Sequence, residues 1–401
     1  MIRDRTLLAL TTAELVSQLG SQLSALALPW FVLATTHSST RMGLVFAIEL
    51  VPFVLFGLHA GSVVDRLGPR TTMLLSDLGR APLIALIPFL KEVGGLSFAI
   101  ILVVAFLHGL LSTAYFTCQR TAIPAIVGND EQRIARANSL VEGATNVTSF
   151  AGPALAGILI AAVGATNVMW IDAASYLVSV ALIGLFVRVV REVHESDEPS
   201  GIRAGLAYIA RDRFVRRAIL SPLLFGAAFP LVFASFPVVA FTDYHRNPRV
   251  AGLLFAAYGG GSVVGSVATY LALARFRPGP LGIVACVGLG VPFWLLVPHV
   301  PLAVMVAAMA VVGFANPMSN APYLGLLTAR VPPPLFPKVV QTIIVSNQVI
   351  RPAAYAAAGA LFAGLGLHAV YAIAAVAASA ASLNFILAVL AEGQTFAQET
   401  A

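Results

Sequence analysis

Long apolar runs of about 20–27 residues alternate with short polar breaks along the whole chain. A bilayer's hydrocarbon core takes about 20 residues of helix to cross, so each run predicts a membrane span. The runs fall at Leu7–Leu33, Met42–Val64, Thr71–Leu90, Leu96–Phe116, Ala137–Val163 and Val168–Val187. They resume at Ile219–Phe241, Val250–Ala274, Leu281–Val297, Leu302–Leu327, Val339–Leu361 and Leu367–Leu390. Turn chemistry marks several breaks: Lys91-Glu92-Val93-Gly94-Gly95, Arg277-Pro278-Gly279-Pro280 and Pro298-His299-Val300-Pro301. The one long polar segment, Arg188 to Arg217, divides the spans into two sets of six. The predicted organisation is a six-helix bundle over 1–190, a cytoplasmic linker over 191–217 and a second six-helix bundle over 218–401. In the linker, Ile202, Leu206, Ile209, Ala210 and Phe214 recur at helical spacing opposite arginines, as in a helix lying on an anionic leaflet. His194-Glu195-Ser196-Asp197-Glu198 reads as solvated linker rather than as a metal site.

Composition agrees with spans. Hydrophobic residues make up 59% and charged residues 10% of the chain, with a mean hydropathy of +0.89. Soluble domains carry about 25% charged residues. The net charge of +6 rests almost wholly on arginine, since Lys91 and Lys338 are the only lysines. In a water-soluble chain this excess would suggest nucleic acid; here it anchors one membrane face. With the N-terminus inside, Arg41, Lys91, Arg246 and Arg249 fall outside, Arg80 and Arg351 fall within spans, and the remaining 18 of 24 basic residues are cytoplasmic. Both termini are therefore expected in the cytoplasm, with the protein in the cytoplasmic (inner) membrane. Arg3 and Arg5 before an apolar run imitate a signal peptide, but Glu14, Gln18 and Gln22 interrupt that run and eleven spans follow. Cys118 and Cys286 both sit in apolar runs, so neither a disulfide framework nor a zinc site is expected.

Ionisable groups inside a membrane are costly and mark function. The first half carries Glu14, Glu49, His59, Asp77, Arg80, His108, Glu142 and Asp172. The second is nearly bare: the 52 residues from Pro278 to Ala329 contain no Asp, Glu, Lys or Arg, and Arg351 is the lone buried charge. This asymmetry places proton handling in the first half and apolar substrate contacts in the second. Glu14 shares a helix face with Gln18, Ser21 and Gln22. A polar stripe facing lipid would be penalised, so it should line a water-filled cavity, where an acid can exchange protons. Glu14 is thus the first proton-coupling candidate. Glu49, roughly 10 Å below the outer end of its span, is second and Asp77 third, although Asp77 can pair with Arg80 three residues on. Asp172 is expected near an outer helix end in an interfacial role, and Glu142 beside Arg133 or Arg136. Gln18, Gln22, Phe229, Phe233 and Arg351 are the substrate-cavity candidates. Phe225 and Phe236 extend the aromatic stripe on the seventh span.

Between the second and third spans, Gly61-Ser62-Val63-Val64-Asp65-Arg66-Leu67-Gly68-Pro69-Arg70 packs an acid, two arginines and two glycines into a gap that admits only a tight hairpin. This G-x-x-x-D-R-x-G-x-R pattern resembles the loop 2–3 signature of the major facilitator superfamily. The resemblance implies that Gly61, Asp65, Arg66, Gly68 and Arg70 form a gating loop, with Pro69 replacing a usual basic residue. Gly152, Pro153 and Gly157 resemble the antiporter motif of that family's exporters, with Ala156 in place of a glycine. Ala27-Leu28-Pro29-Trp30, Pro52-Phe53, Ala135-Arg136-Ala137-Asn138-Ser139-Leu140 and Ile171-Asp172-Ala173-Ala174-Ser175-Tyr176 are similar to the drug-exporter branch that includes macrolide efflux proteins and enterobactin exporters. Two positions depart from that branch: Ala105 stands where many proton-coupled members carry arginine, and Ser21 where an acid is common. The resemblance implies an all-α membrane protein with twelve transmembrane helices in two six-helix halves. It implies a transporter rather than an enzyme, monomeric, with no cofactor and the proton gradient as its energy source. The expected function is proton-coupled efflux of hydrophobic or amphipathic small molecules by alternating access, with membrane lipids as surroundings and no nucleic-acid partner. A facilitator or importer of a small metabolite and a lipid translocase are the alternatives.

Overall fold

The computed structural model describes residues 2–127, 131–187, 207–276, 278–332 and 335–399, and every long element among them is a helix. In chain order these are α1 (Ile2–Thr36), α2 (Ser39–Leu67), α3 (Pro69–Glu92), α4 (Phe98–Val127), α5 (Glu131–Val163) and α6 (Ala165–Phe186). Then come α7 (Arg213–Thr242), α8 (Pro248–Leu273), α9 (Pro278–Leu295), α10 (Leu302–Arg330) and α11 (Phe336–Glu399). Gly366, at φ 79°, breaks α11 into arms over residues 336–365 and 367–399. An L side chain resists that backbone angle and glycine does not. Among the described residues nine helical stretches are long and apolar enough to cross a membrane, and Val147–Val163 and Gly279–Leu295 are shorter apolar ones.

The burial pattern inverts that of a water-soluble protein. Leu185, Val264 and Tyr270 are exposed, whereas Glu14, Asp77, Arg80 and Asp172 are buried. Apolar surface turned outward over this many helices needs lipid as its solvent. This is a multi-pass membrane protein.

The turns are tighter than the sequence suggests. The run Gly61–Arg70 is not a ten-residue hairpin: α2 continues to Leu67, α3 starts at Pro69, and Gly68 (φ 81°) alone is non-helical. Pro69 suits the first turn of α3, where a missing N–H leaves no helical bond unmade. At the other end of α2, Ser38 caps the helix by accepting the Arg41 N–H at 3.2 Å.

Two compact units divide the chain. One takes Met1–Asp197 with Ala240–Gly252, the other Glu198–Val239 with Leu253–Ala401. In the first, α1 packs on α5 and α6, α2 on α4, and α3 on both α4 and α6. In the second, α9 packs on α10 and α11. There, Ser221 donates to the Ala381 carbonyl at 2.9 Å, Ser382 to the Cys286 carbonyl at 2.7 Å, and Asn347 to the Pro222 carbonyl at 3.0 Å. Such interhelical bonds fix helix register where burial of apolar surface cannot.

Part of the expected amphipathic surface helix is described, and it faces protein rather than lipid. Ile209 is buried in a cluster with Val215, Leu327, Val331 and Val339. Residues 202–206, the segment His194–Glu198, and the side chains of His59, Asp65, Ser139, Glu142 and Phe214 lie outside the described residues.

Candidate functional site

The first unit buries a polar cluster built by α1, α2, α3, α4 and α6. On α1, Glu14, Ser17, Ser21 and Ser24 step by three and four residues and so share one face. Glu14, Ser17 and Ser24 are buried, whereas Gln18 and Gln22 are half-buried beside that face. Gln22 donates to the Ser149 hydroxyl at 3.4 Å. Its stem fills the space that Gly152 leaves on α5, since a Cβ at position 152 would overlap it. Gly157 does similar work, lying 2.9 Å in Cβ terms from the Gly252 Cα. These antiporter-like positions thus permit close helix approach.

Asp77 and Arg80 meet on α3 in a buried ion pair. Ser17 and Ser179 also face Asp77. The Arg80 guanidinium lies 4.3 Å from the centre of the Tyr115 ring and 4.5 Å from that of Tyr176. An arginine flanked by two aromatic faces is held rigidly, by cation–π attraction as well as by its carboxylate. Asp172 is fully buried, packed with Ser175 and Ser24, and close enough to Arg80 to feel its charge. This corrects the expected interfacial role. Gly164 (φ 87°) lets α6 begin at Ala165, so Asp172 stands two turns inside the helix, against Gly20 of α1.

Glu49 is the eleventh residue of α2, about 15 Å from its start. Its Oε1 lies 3.1 Å from Nδ1 of His108 on α4. Gly109 makes this possible: a Cβ there would overlap the Glu49 carbonyl, so only glycine lets the α4 backbone press against α2 at this point. His108 Nε2 is 2.9 Å from the Tyr176 hydroxyl, which is 2.9 Å from Ser21 Oγ, and Ser21 donates to the Ser17 carbonyl at 2.8 Å. A continuous hydrogen-bonded chain therefore runs from α2 through α4 and α6 to α1. Its outer member, Glu49, is 26% exposed, and His108 is 6% exposed.

Donor counting gives this chain two states. With Ser21 donating to Ser17, the Tyr176 hydroxyl must donate to Ser21, and His108 Nε2–H to Tyr176. Glu49 and His108 must then hold a further proton between them, either as carboxyl and neutral imidazole or as an ion pair. Removal of that proton leaves His108 Nδ1–H donating to the carboxylate, so Nε2 becomes an acceptor. Every donor along the chain then reverses, and Ser21 must release the Ser17 carbonyl to donate to Tyr176.

Elsewhere in this unit, Arg70 donates to the carbonyls of Val187 and Gly184, each at 2.7 Å, and so ties the start of α3 to the C-terminal end of α6. A cation there also meets the negative end of the helix dipole. Arg66 is exposed on the last turn of α2.

The second unit holds a cavity of about 580 Å³. Phe225, Phe229, Phe233 and Tyr258 wall one side, with successive ring centroids 5.9 Å and 5.6 Å apart along α7 and 4.9 Å between Phe233 and Tyr258. Phe236, the fourth ring of the stripe, is fully buried core. Asn316, Asn320, Asn347, Gln348 and Arg351 supply the polar lining. Among the described residues no three His, Cys, Asp or Glu side chains group as a metal site. Tyr176 and the four amide side chains are the site residues that sequence reasoning missed, whereas His108 stands there among the buried ionisable groups without a partner assigned. The signals were there: glycine beside His108, and amides at a spacing of four on one apolar helix.

Apolar helices surrounding an aromatic cavity in one unit and a buried hydrogen-bonded polar chain in the other are the arrangement of a membrane transporter. The model of the Major Facilitator Superfamily matches residues 10–351, and the chain belongs to that family. It is 27% identical over 376 residues to the multidrug efflux pump Tap of Mycolicibacterium fortuitum, covering 91% of each chain. It is 28% identical over 369 residues to the Tap pump of Mycobacterium bovis (strain BCG / Pasteur 1173P2), covering 90% of this chain and 87% of that one. A crystal structure of a bacterial homologue of the iron transporter ferroportin, in an inward-facing state, superposes with a TM-score of 0.75 at 14% identity, covering 96% of this chain and 98% of that chain.

Proposed function

We propose that this transporter exports amphipathic small molecules from the cytoplasm in exchange for protons, and that the Glu49–His108 pair is the proton-loading site. The likeness to multidrug efflux pumps over nine-tenths of the chain supports the direction and the substrate class. The observation that carries the coupling is the chain Glu49–His108–Tyr176–Ser21, because its two proton states differ in a bond on α1. Sequence ranks Glu14 above Glu49; geometry favours Glu49. Glu14 is 1% exposed and Asp77 is already bound to Arg80, whereas Glu49 is both bonded to a titratable partner and partly open. In this reading the cavity of the second unit takes the substrate against Phe229 and Phe233, and alternating access presents site and proton to opposite sides. The protein works as a monomer in the inner membrane, with both termini cytoplasmic and no cofactor.

Everted membrane vesicles test the reading. With an acid-inside gradient held by respiration and followed by a quenched amine dye, adding substrate should raise the dye signal as protons leave in exchange. A facilitator would move substrate and leave the gradient unchanged, and that result would exclude antiport.

A further inference from the structure

The charge pattern around the cavity specifies what it accepts. Arg351 lines the cavity, faces Tyr258, and donates to Gln348 Oε1 at 3.2 Å. Among the described residues no carboxylate lines the cavity. The sequence makes this a property of the whole region: from Arg213 to Ala391 the only Asp or Glu is Asp243, which belongs to the other compact unit. A half-buried guanidinium inside a membrane is expensive to leave without an anion, and here the same unit supplies only a neutral amide. The aromatic wall adds area but no charge. Aromatic faces also attract cations, so two opposing preferences meet in one space. A ligand cation lying on those rings would also meet the like charge of Arg351, which opposes the attraction of the rings.

We propose that this cavity selects aromatic substrates bearing an anionic group or a strong neutral acceptor opposite Arg351, and discriminates against lipophilic cations. The ligand supplies the counter-charge absent from the cavity's described lining, its rings lie on Phe229, Phe233 and Tyr258, and the amides of Asn316 and Asn320 orient its polar edge. The inference rests on the export reading only in taking this cavity as the substrate site.

A matched pair of xanthene dyes tests it: fluorescein, an anion at neutral pH, and tetramethylrhodamine methyl ester, a cation of similar shape. Binding to the purified full chain in lipid nanodiscs is read by fluorescence anisotropy, with empty nanodiscs subtracted. The wild type should bind the anion about tenfold more tightly, the scale of one charge-assisted hydrogen bond. Arg351→Lys should keep that order, Arg351→Gln should bring the two affinities together, and Arg351→Glu should reverse them. If Arg351→Glu fails to fold, the Lys and Gln variants decide. Equal or tighter binding of the cation by the wild type, or a ratio indifferent to Arg351, would overturn the proposal. The vesicle assay separates this from the export reading. Anion preference without transport leaves the cavity inference standing and sinks export, whereas cation export unchanged by Arg351→Gln does the reverse.

Discussion

Glu49→Gln should abolish uphill transport driven by a pH gradient while leaving downhill exchange within a few-fold of wild type. The glutamine amide can donate to His108 Nδ1 as a protonated carboxyl would, so the substitution keeps the donor order of the loaded chain and the packing of α4 on α2 at Gly109. What it removes is the ability to lose the proton. Accumulation under an imposed gradient should therefore fall to the level of protein-free liposomes. Proteoliposomes loaded with substrate separate the two activities: counterflow with no gradient reports exchange, and accumulation under an imposed gradient reports coupling. Glu14→Gln in the same assay should retain accumulation. If Glu14→Gln uncouples and Glu49→Gln does not, the proton site belongs on α1.

The second large effect falls on folding. Arg80→Met strands Asp77 in a site where neither residue reaches water, and removes the cation that Asp172 also faces. Removing one partner of a buried pair typically costs about 3–5 kcal/mol, because the remaining charge stays uncompensated. Asp77→Asn should cost less, since Asp172 stays close to Arg80 and substitutes in part. The asymmetry is the diagnostic feature. Thermal unfolding in detergent should show Arg80→Met melting well below Asp77→Asn. Mild acid should raise the Arg80→Met midpoint, since protonating the stranded carboxyls removes the charge the fold cannot accommodate. Equal losses in the two variants, independent of pH, would mean that Asp172 and Arg80 do not share charge.

Much of this architecture is legible in the chain, for a physical reason. A membrane demands helices of a minimum length with apolar surfaces, so spans such as Leu302–Leu327 stand out without any tertiary information. The aromatic stripe on α7 is legible too, because a helix of fixed period puts Phe225, Phe229 and Phe233 on one side. Partners across helices are not. Nothing along the sequence brings His108 to Glu49, which is 59 residues away; the packing of α4 on α2, closest at Gly109, sets their distance. Asp172 was misplaced because the apolar run starts at Val168, whereas the helix starts three residues earlier, behind Gly164. The run Gly61–Arg70 misled in the opposite sense. Its charged residues look like loop, yet all but Gly68 are helical, and Arg70 bonds the end of α6.

The most direct test of the coupling is a proton count on ligand binding. Purified protein in weakly buffered detergent solution, with a pH-indicator dye, should release about one proton when a saturating amphipathic ligand is added, because exchange requires the loaded chain to discharge as substrate binds. Glu49→Gln, held in the loaded donor order, should bind the ligand more weakly and release none even when saturated. Binding without proton release in the wild type, or release undiminished in Glu49→Gln, would contradict the assignment of the proton to the Glu49–His108 pair.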